Sequence, residues 1–200
     1  MVSWVLKEWQ AAIAALLRGD TVLLLRKGGI REAKGQFSLA AREVLLLPTL
    51  EHQKLSLLKD EFRPLTQLEP SVHSDQVKFE GWATITHVLP LSAAAEVAPL
   101  LPYLVWNEQF VAERLSWQPD RPLYGLLLRA YRLEQPLLLP RHKGYGGCRS
   151  WVEIGESVAV ENSIPALAEA DYQARTEAIL AAVPSVSPVA RSISGTMPSS

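Results

Sequence analysis

The stretch Leu23–Gln53, LLLRKGGIREAKGQFSLAAREVLLLPTLEHQ, decides the fold because two apolar runs enclose a charged middle. The runs belong to Thr21–Arg26 and Glu43–Pro48, and short apolar runs bounded by turn residues predict buried strands. Residues 26–42, the first basic segment, hold five Lys or Arg against one Glu. Such a segment either binds an anion or forms an ordinary solvated loop.

Outward from this stretch, apolar residues at helical spacing predict an amphipathic helix over Trp4–Arg18, which Ser3 can cap and Gly19 can end. Gly81 lies inside a long β-branched and aromatic run and predicts a bulge. Strands and helices do not alternate as in a doubly wound sheet. We therefore predict an α+β fold with a mostly antiparallel sheet, either open or barrel-like, and helices on one side and at the ends. The other predicted helices are 50–62, 92–101, 106–117 and 163–183, and the other predicted strands are 77–91, 123–133, 136–140 and 151–154.

The predicted organisation is one domain over residues 1–155, a linker and helix over residues 156–183, and a tail over residues 184–200. The tail is rich in Ser and Pro and has no periodicity, which predicts disorder.

Composition excludes several classes of protein. Hydrophobic residues make up 48% of the 200 residues, enough for a sizeable core, and the net charge of -1 argues against a globally basic nucleic-acid binder. The single cysteine, Cys148, permits neither an internal disulfide nor a cysteine-based zinc site, so a reducing compartment fits best. Lys7 and Glu8 interrupt the first apolar run, and no window suits a membrane span. We expect a soluble cytoplasmic protein without a membrane contact.

A second basic segment, residues 129–149, also holds five Lys or Arg against one Glu, and both segments contain glycines and follow a strong apolar strand. Glycine lets backbone N–H groups approach an anion, and Arg offers a planar fork to phosphate. If the two loops lie at one end of the sheet, they form a basic cleft for RNA, a nucleotide or another phosphate-bearing ligand. Neither has the spacing of a nucleotide-binding motif. The candidate phosphate contacts are Arg26, Lys27 and Arg31 in the first segment and Arg141, Lys143 and Arg149 in the second.

Catalytic candidates are fewer. His52, beside Glu51, is a candidate general base, although a helix-start role is the more common one for such a residue. Glu43 and Glu51 with Lys54 and Asp20 are candidates for an acidic cluster holding Mg²⁺, the only cofactor considered. Other carboxylates of this kind are turn, edge and helix-start residues. No histidine pair has zinc spacing, so no metal site is predicted.

Cys148 as a nucleophile with His142 and Glu153 is a further alternative to an inert buried thiol. The six tryptophans fall on predicted elements, which indicates core packing, and the sequence does not assign one of them to base stacking.

Three hypotheses for function follow. The first is a module that binds phosphate or nucleic acid through the two basic loops. The second is a metal-dependent nuclease or phosphodiesterase that uses the acidic cluster. The third is a scaffold that docks a protein partner through the helix at residues 163–183.

The blocks LKEWQAAIAALLRGDTVLLLRKGGIRE, LLLPTLEHQ, VWNEQFVAERLSWQPDRPLYGLLLRAYRL and YGGCRSWVEI resemble, in that order, the bacterial family called domain of unknown function 1802. The resemblance covers Val5 to Ile154 and implies no particular activity. A more distant similarity is to the RNA-binding barrels of the PUA and ASCH type, in which Gly19, Arg26 and Lys27 take the places of the glycine turn and the basic strand end. Leu24 and Leu25 stand where that pattern has a Glu, and the similarity implies a fold only.

Overall fold

The computed structural model describes residues 1–27, 30–33, 36–67, 75–141, 143–146 and 149–184, with the side chains of residues 30–33, 36–38 and 143 outside this description. Its strands are β1 (Val2–Trp9), β2 (Leu23–Arg26), β3 (Ile30–Ala33), β4 (Gln36–Leu39), β5 (Glu43–Thr49), β6 (Gln76–Leu91), β7 (Leu123–Pro140), β8 (Trp151–Val158) and β9 (Ile164–Pro165). Its α-helices are α1 (Gln10–Arg18), α2 (Ala94–Val97), α3 (Glu108–Ser116) and α4 (Glu169–Ala182), and 3-10 helices span Leu55–Leu57, Asp60–Gln67, Ala98–Tyr103 and Lys143–Tyr145.

Seven strands form one sheet in the order β2-β7-β6-β5-β1-β8, with β9 added beside β7. Only β1 and β5 run parallel, and every other pairing in this sheet is antiparallel. Within the described residues the sheet does not close, since β2 and β8 remain its two edges. The prediction of an α+β fold with a mostly antiparallel sheet is confirmed.

The helix predicted over Trp4–Arg18 is wrong in its first half, because Val2–Trp9 is a strand and the helix begins at Gln10. Val5 and Leu6 are both fully buried, in hydrophobic clusters on opposite faces of the sheet. A strand buried on both faces has no clear period of two, and the following helix lent its own spacing to the whole stretch. The predicted end of the helix is right, since Gly19 adopts a left-handed φ of 79° there.

Other elements also differ from expectation. The helix predicted at residues 50–62 is replaced by two short 3-10 helices, the second of which contains Pro64. The first basic segment is not only a loop, because β3 and β4 within it pair antiparallel. The register shift predicted at Gly81 is present, between Phe79 and Gly81.

The larger core packs α1, α3 and α4 against the sheet. At its centre Trp106 is fully buried and stacks on Phe110 at 4.6 Å, while Trp9 meets both rings edge-on. From α4, Tyr172 and Ile179 enter this same core. A smaller cluster on the other face of the sheet contains Val5, Leu45, Phe79 and Tyr145. None of the described helices has both the length and the apolar character needed to cross a bilayer.

Candidate anion-binding cleft

A cleft of about 530 Å³ opens where β1, β2 and β5 end, next to the last turn of α3. Its volume is within the range of about 300–1,000 Å³ typical of small-molecule sites. Four cationic side chains and two carboxylates line it. The cations are Lys7, Arg26, Lys27 and Arg114, and the carboxylates are Glu8 and Glu51.

The deepest charged contact is the ion pair between Arg26 and Glu8, which are only 9% and 11% exposed. Glu8 also accepts the backbone N–H of Trp9 at 2.8 Å. Among the described residues the buried Nε of Arg26 has no hydrogen-bond partner. A buried N–H without an acceptor is costly, so the Arg26 fork retains unused donor capacity.

Lys7 ties three segments together at the cleft. Its ammonium donates to Glu51 Oε2 at 2.8 Å and to the carbonyl of Tyr145 at 3.3 Å. Its backbone N–H donates to the carbonyl of Ser150 at 2.8 Å. The chain after β5 and the second basic segment are therefore both held against β1.

Lys27 and Arg114 bring positive charge from two elements to the cleft wall. The Lys27 ammonium donates to the carbonyls of Arg114 and Leu115, at 2.9 and 3.2 Å, and so caps the end of α3. Burial, helped by the charge of Arg114, lowers the pKa of Lys27 from its ordinary 10.5. The Arg114 guanidinium lies over the Phe110 ring at 4.9 Å, and no ion pair with a carboxylate involves it in the described part of the chain.

Burial also lowers the pKa of Arg114, with Glu8 opposing the shift and Arg26 adding to it. The guanidinium nevertheless stays protonated at physiological pH, because an Arg pKa starts above 12. The wall between α3 and β2 is therefore a partly desolvated pair of cations, Lys27 and Arg114.

Of the phosphate contacts predicted from the sequence, Arg26 and Lys27 line the cleft. Arg31 lies on β3, with its side chain outside the described residues, as is that of Lys143. Arg149 is exposed and directly precedes Ser150, which lines the cleft. Arg141 is exposed beyond the far end of β7, the strand whose Tyr124 pairs with Arg26.

Of the catalytic candidates, Glu51 and His52 line the cleft. Glu43 begins β5 and Glu51 follows its end, so the strand separates them by about 20 Å at ~3.3 Å per residue. Lys54 is paired with Glu113 at 3.9 Å, outside the cleft lining.

The acidic cluster is thus not brought together, and Asp20 instead pairs with Arg18 at 3.0 Å. In the ranges that the structure describes, no three His, Cys, Asp or Glu side chains are placed to hold a metal ion. His142 and Cys148, the candidates for thiol chemistry, lie outside the described residues.

The sequence did not single out Lys7, Glu8, Arg114 and Trp117 as cleft residues. The first two were assigned to a helix, and the last two join the site only through the docking of α3. An alternation of buried apolar and polar residues in VSWVLKEW was the one local signal for the first pair.

Comparison with solved structures finds a similar fold in the crystal structure of a mutant ZmASCH protein from Zymomonas mobilis. The TM-score is 0.41 and the sequence identity 11%, over 87% of this chain and 94% of that one. The comparison thus returns a protein of the ASCH kind that the sequence distantly resembles. No curated protein matches the sequence.

The family model described as domain of unknown function (DUF1802) matches residues 5–178. The match extends beyond Ile154, where we expected the resemblance to end, and takes in much of α4. The buried Tyr172 is inside the match, as its place in the main core leads one to expect. The chain belongs to the DUF1802 family.

Proposed function

We propose that this protein is a binding module for a phosphate-bearing ligand, a nucleic acid or nucleotide, held in the cleft at the ends of β1, β2 and β5. The observation that carries the proposal is the excess of cations over carboxylates among the cleft side chains. Glu8 and Glu51 are each matched by an ion pair, to Arg26 and Lys7. Lys27 and Arg114 are left to attract an anion from solution.

The chemistry of these groups suits phosphate. A guanidinium forms two parallel hydrogen bonds to phosphate oxygens, and an ammonium adds a point charge. Arg26 has a donor without a partner, and Arg114 is already partly desolvated against Phe110. An interaction with a phosphate in such a site is stronger than the same interaction in open water.

The remaining basic residues would extend the contact beyond the cleft. Arg31 lies four residues after Lys27, and Arg149 is adjacent to Ser150 at the rim. A polymer bound in the cleft would meet these side chains, together with Lys143 and Arg141, at successive phosphates. That arrangement keeps both basic segments in the proposed binding surface.

Neither alternative function has comparable support. The nuclease hypothesis needs converging carboxylates, and β5 holds Glu43 and Glu51 apart. The scaffold hypothesis needs a free helix face, and the apolar face of α4 lies in the main core through Tyr172 and Ile179.

The test is binding of the full chain to labelled single-stranded RNA, single-stranded DNA and duplex DNA at two salt concentrations, with and without Mg²⁺. The variants are Lys27→Gln and Arg114→Gln, because replacing Arg26 would leave Glu8 buried without its partner. Arg132→Gln is the matched control, an exposed Arg on β7 outside the cleft lining.

The expected result is binding that weakens with salt, and a slope of log affinity against log salt that falls by about one for each phosphate contact removed. The control should bind like the wild type. Equal binding by all variants would contradict the cleft, and Mg²⁺-dependent cleavage would replace the binding module with a nuclease.

A further inference from the structure

The exposed indole of Trp117 is the feature of the cleft that charge alone does not explain. We propose that Trp117 is a stacking platform for a nucleobase, so that the ligand is a nucleoside phosphate presented by a single strand or as a free nucleotide. This inference rests on the proposed function, and it names the class of phosphate compound that the cleft selects.

Trp117 differs from every other tryptophan of the chain. It is 48% exposed, whereas the other five are buried or half-buried. Trp9 and Trp106 pack with Phe110, and Trp82 stacks on Tyr131 at 4.4 Å. The two remaining tryptophans, Trp4 and Trp151, pack against the main core.

No hydrogen bond, ring stack or cation–π contact within the described residues involves the Trp117 indole. Exposing a large aromatic surface has a cost in water, and its ring face is free for a ligand. The position in a cleft, instead of on an open convex surface, distinguishes it from an isolated surface hydrophobe.

The backbone that carries Trp117 is held in place. Its N–H donates to the carbonyl of Glu113 at 3.1 Å and ends α3. The Lys27 ammonium binds the carbonyls of Arg114 and Leu115 in the same turn. The platform is thus fixed before any ligand arrives, which limits the ordering entropy that binding requires.

The cations lie at the distance along the chain that a nucleotide would need. Arg114 is one helical turn before Trp117, and Lys27 is bound to the turn between them. A base on the indole therefore leaves its own phosphate beside these two cations. In a duplex the bases are stacked on one another and not available to the indole, so a single strand is preferred over a duplex.

The experiment compares three probes of the intact protein: a single-stranded oligonucleotide, a nucleoside monophosphate, and inorganic polyphosphate with the charge of the oligonucleotide. The variants are Trp117→Ala and Trp117→Phe. Leu138→Ala is the matched control, since Leu138 is also about half exposed, at 51%, but lies outside the cleft lining. A thermal melt verifies that each variant is folded.

The expected result is tighter wild-type binding of the oligonucleotide than of polyphosphate, with quenching of tryptophan fluorescence. Trp117→Ala should lose about tenfold in oligonucleotide affinity and leave polyphosphate binding unchanged, and Trp117→Phe should restore part of the loss. Monophosphate binding as tight as that of the oligonucleotide would identify a free nucleotide as the source of the base.

Two outcomes would overturn the inference. If polyphosphate binds as tightly as the oligonucleotide and Trp117→Ala changes neither, the cleft binds phosphate without reading a base, and the proposed function survives alone. If no probe binds at any salt concentration, the proposed function and this inference are both wrong.

Discussion

Arg26 at the end of β2 forms a buried ion pair with Glu8 near the end of β1, although three strands separate β1 from β2 in the sheet order. In a flat sheet, four interstrand steps of ~4.8 Å would hold the two strands about 19 Å apart. The contact therefore requires a strongly curved sheet. The ion pair bridges the gap that hydrogen bonding between strands leaves open.

Removing one partner of this pair should destabilise the protein by about 3–5 kcal/mol, because the other charge stays buried. Arg26→Met and Glu8→Gln are the single variants, and the free energy of unfolding is measured by chemical denaturation. The double variant should lose less than the sum of the single losses. Additive losses would mean that the two residues do not interact across the gap.

Glu51→Gln should raise the affinity for phosphate-bearing ligands several-fold at low salt, with little change at high salt. The carboxylate is 47% exposed in the cleft, and its removal leaves the Lys7 ammonium unneutralised. Salt-resolved binding to the single-stranded oligonucleotide measures the effect. If Glu51 instead held a metal in a nuclease, the same change would abolish cleavage, so the two functions predict opposite signs.

Gly81→Ala should destabilise the protein by about 1–3 kcal/mol, the usual range for overpacking. A Cβ at Gly81 would lie 2.4 Å from the carbonyl oxygen of Tyr131 and 2.4 Å from Leu17 Cδ2. Gly146→Ala is the control, since a Cβ there meets nothing within 4 Å. Thermal unfolding compares the two, and an equal effect would contradict the close approach of β6 and β7 at the bulge.

Stability should fall as the pH drops below 6.5, owing in part to His87. Burial, helped by the charge of Arg42, lowers the pKa of this imidazole in the folded protein below 6.5. Between that lowered pKa and 6.5 the unfolded chain binds more protons than the folded one, so acid favours unfolding there and adds nothing further below it. His87→Gln should flatten this part of the curve of unfolding free energy against pH. An unchanged curve would assign the effect to other groups.

Ile179→Ala should cost about 2–5 kcal/mol, the range for truncating a buried large aliphatic residue. Ile179 is fully buried in the main core, although α4 was expected to be an appendage. A single cooperative transition, shifted as a whole, is the expected denaturation profile. Glu177→Ala, on the exposed side of α4, is the control. A separate early transition in Ile179→Ala would make α4 an independent unit.

The sequence predicted those elements whose signal is local. The apolar runs of β2 and β5, the long strand β6 and the capped helix α3 are near where they were expected. Strand β1 was missed because burial on both faces removes its alternation. Half of the cleft was also missed, since Lys7 and Arg114 reach it only through the pairing of β1 and the docking of α3. Arg26, Lys27, Glu51 and His52 were found because their own neighbours in sequence mark the ends of strands.

The pairing of Val2 with Val158 at the sheet edge has a consequence for synthesis on the ribosome. Strand β1 is the first to be made, yet its antiparallel neighbour β8 emerges only after some 150 further residues. Contacts so distant along the chain form slowly, and a nascent chain exposes unpaired backbone in the meantime. The N-terminal strand must therefore wait, held by β5 alone, until almost the whole chain has left the exit tunnel.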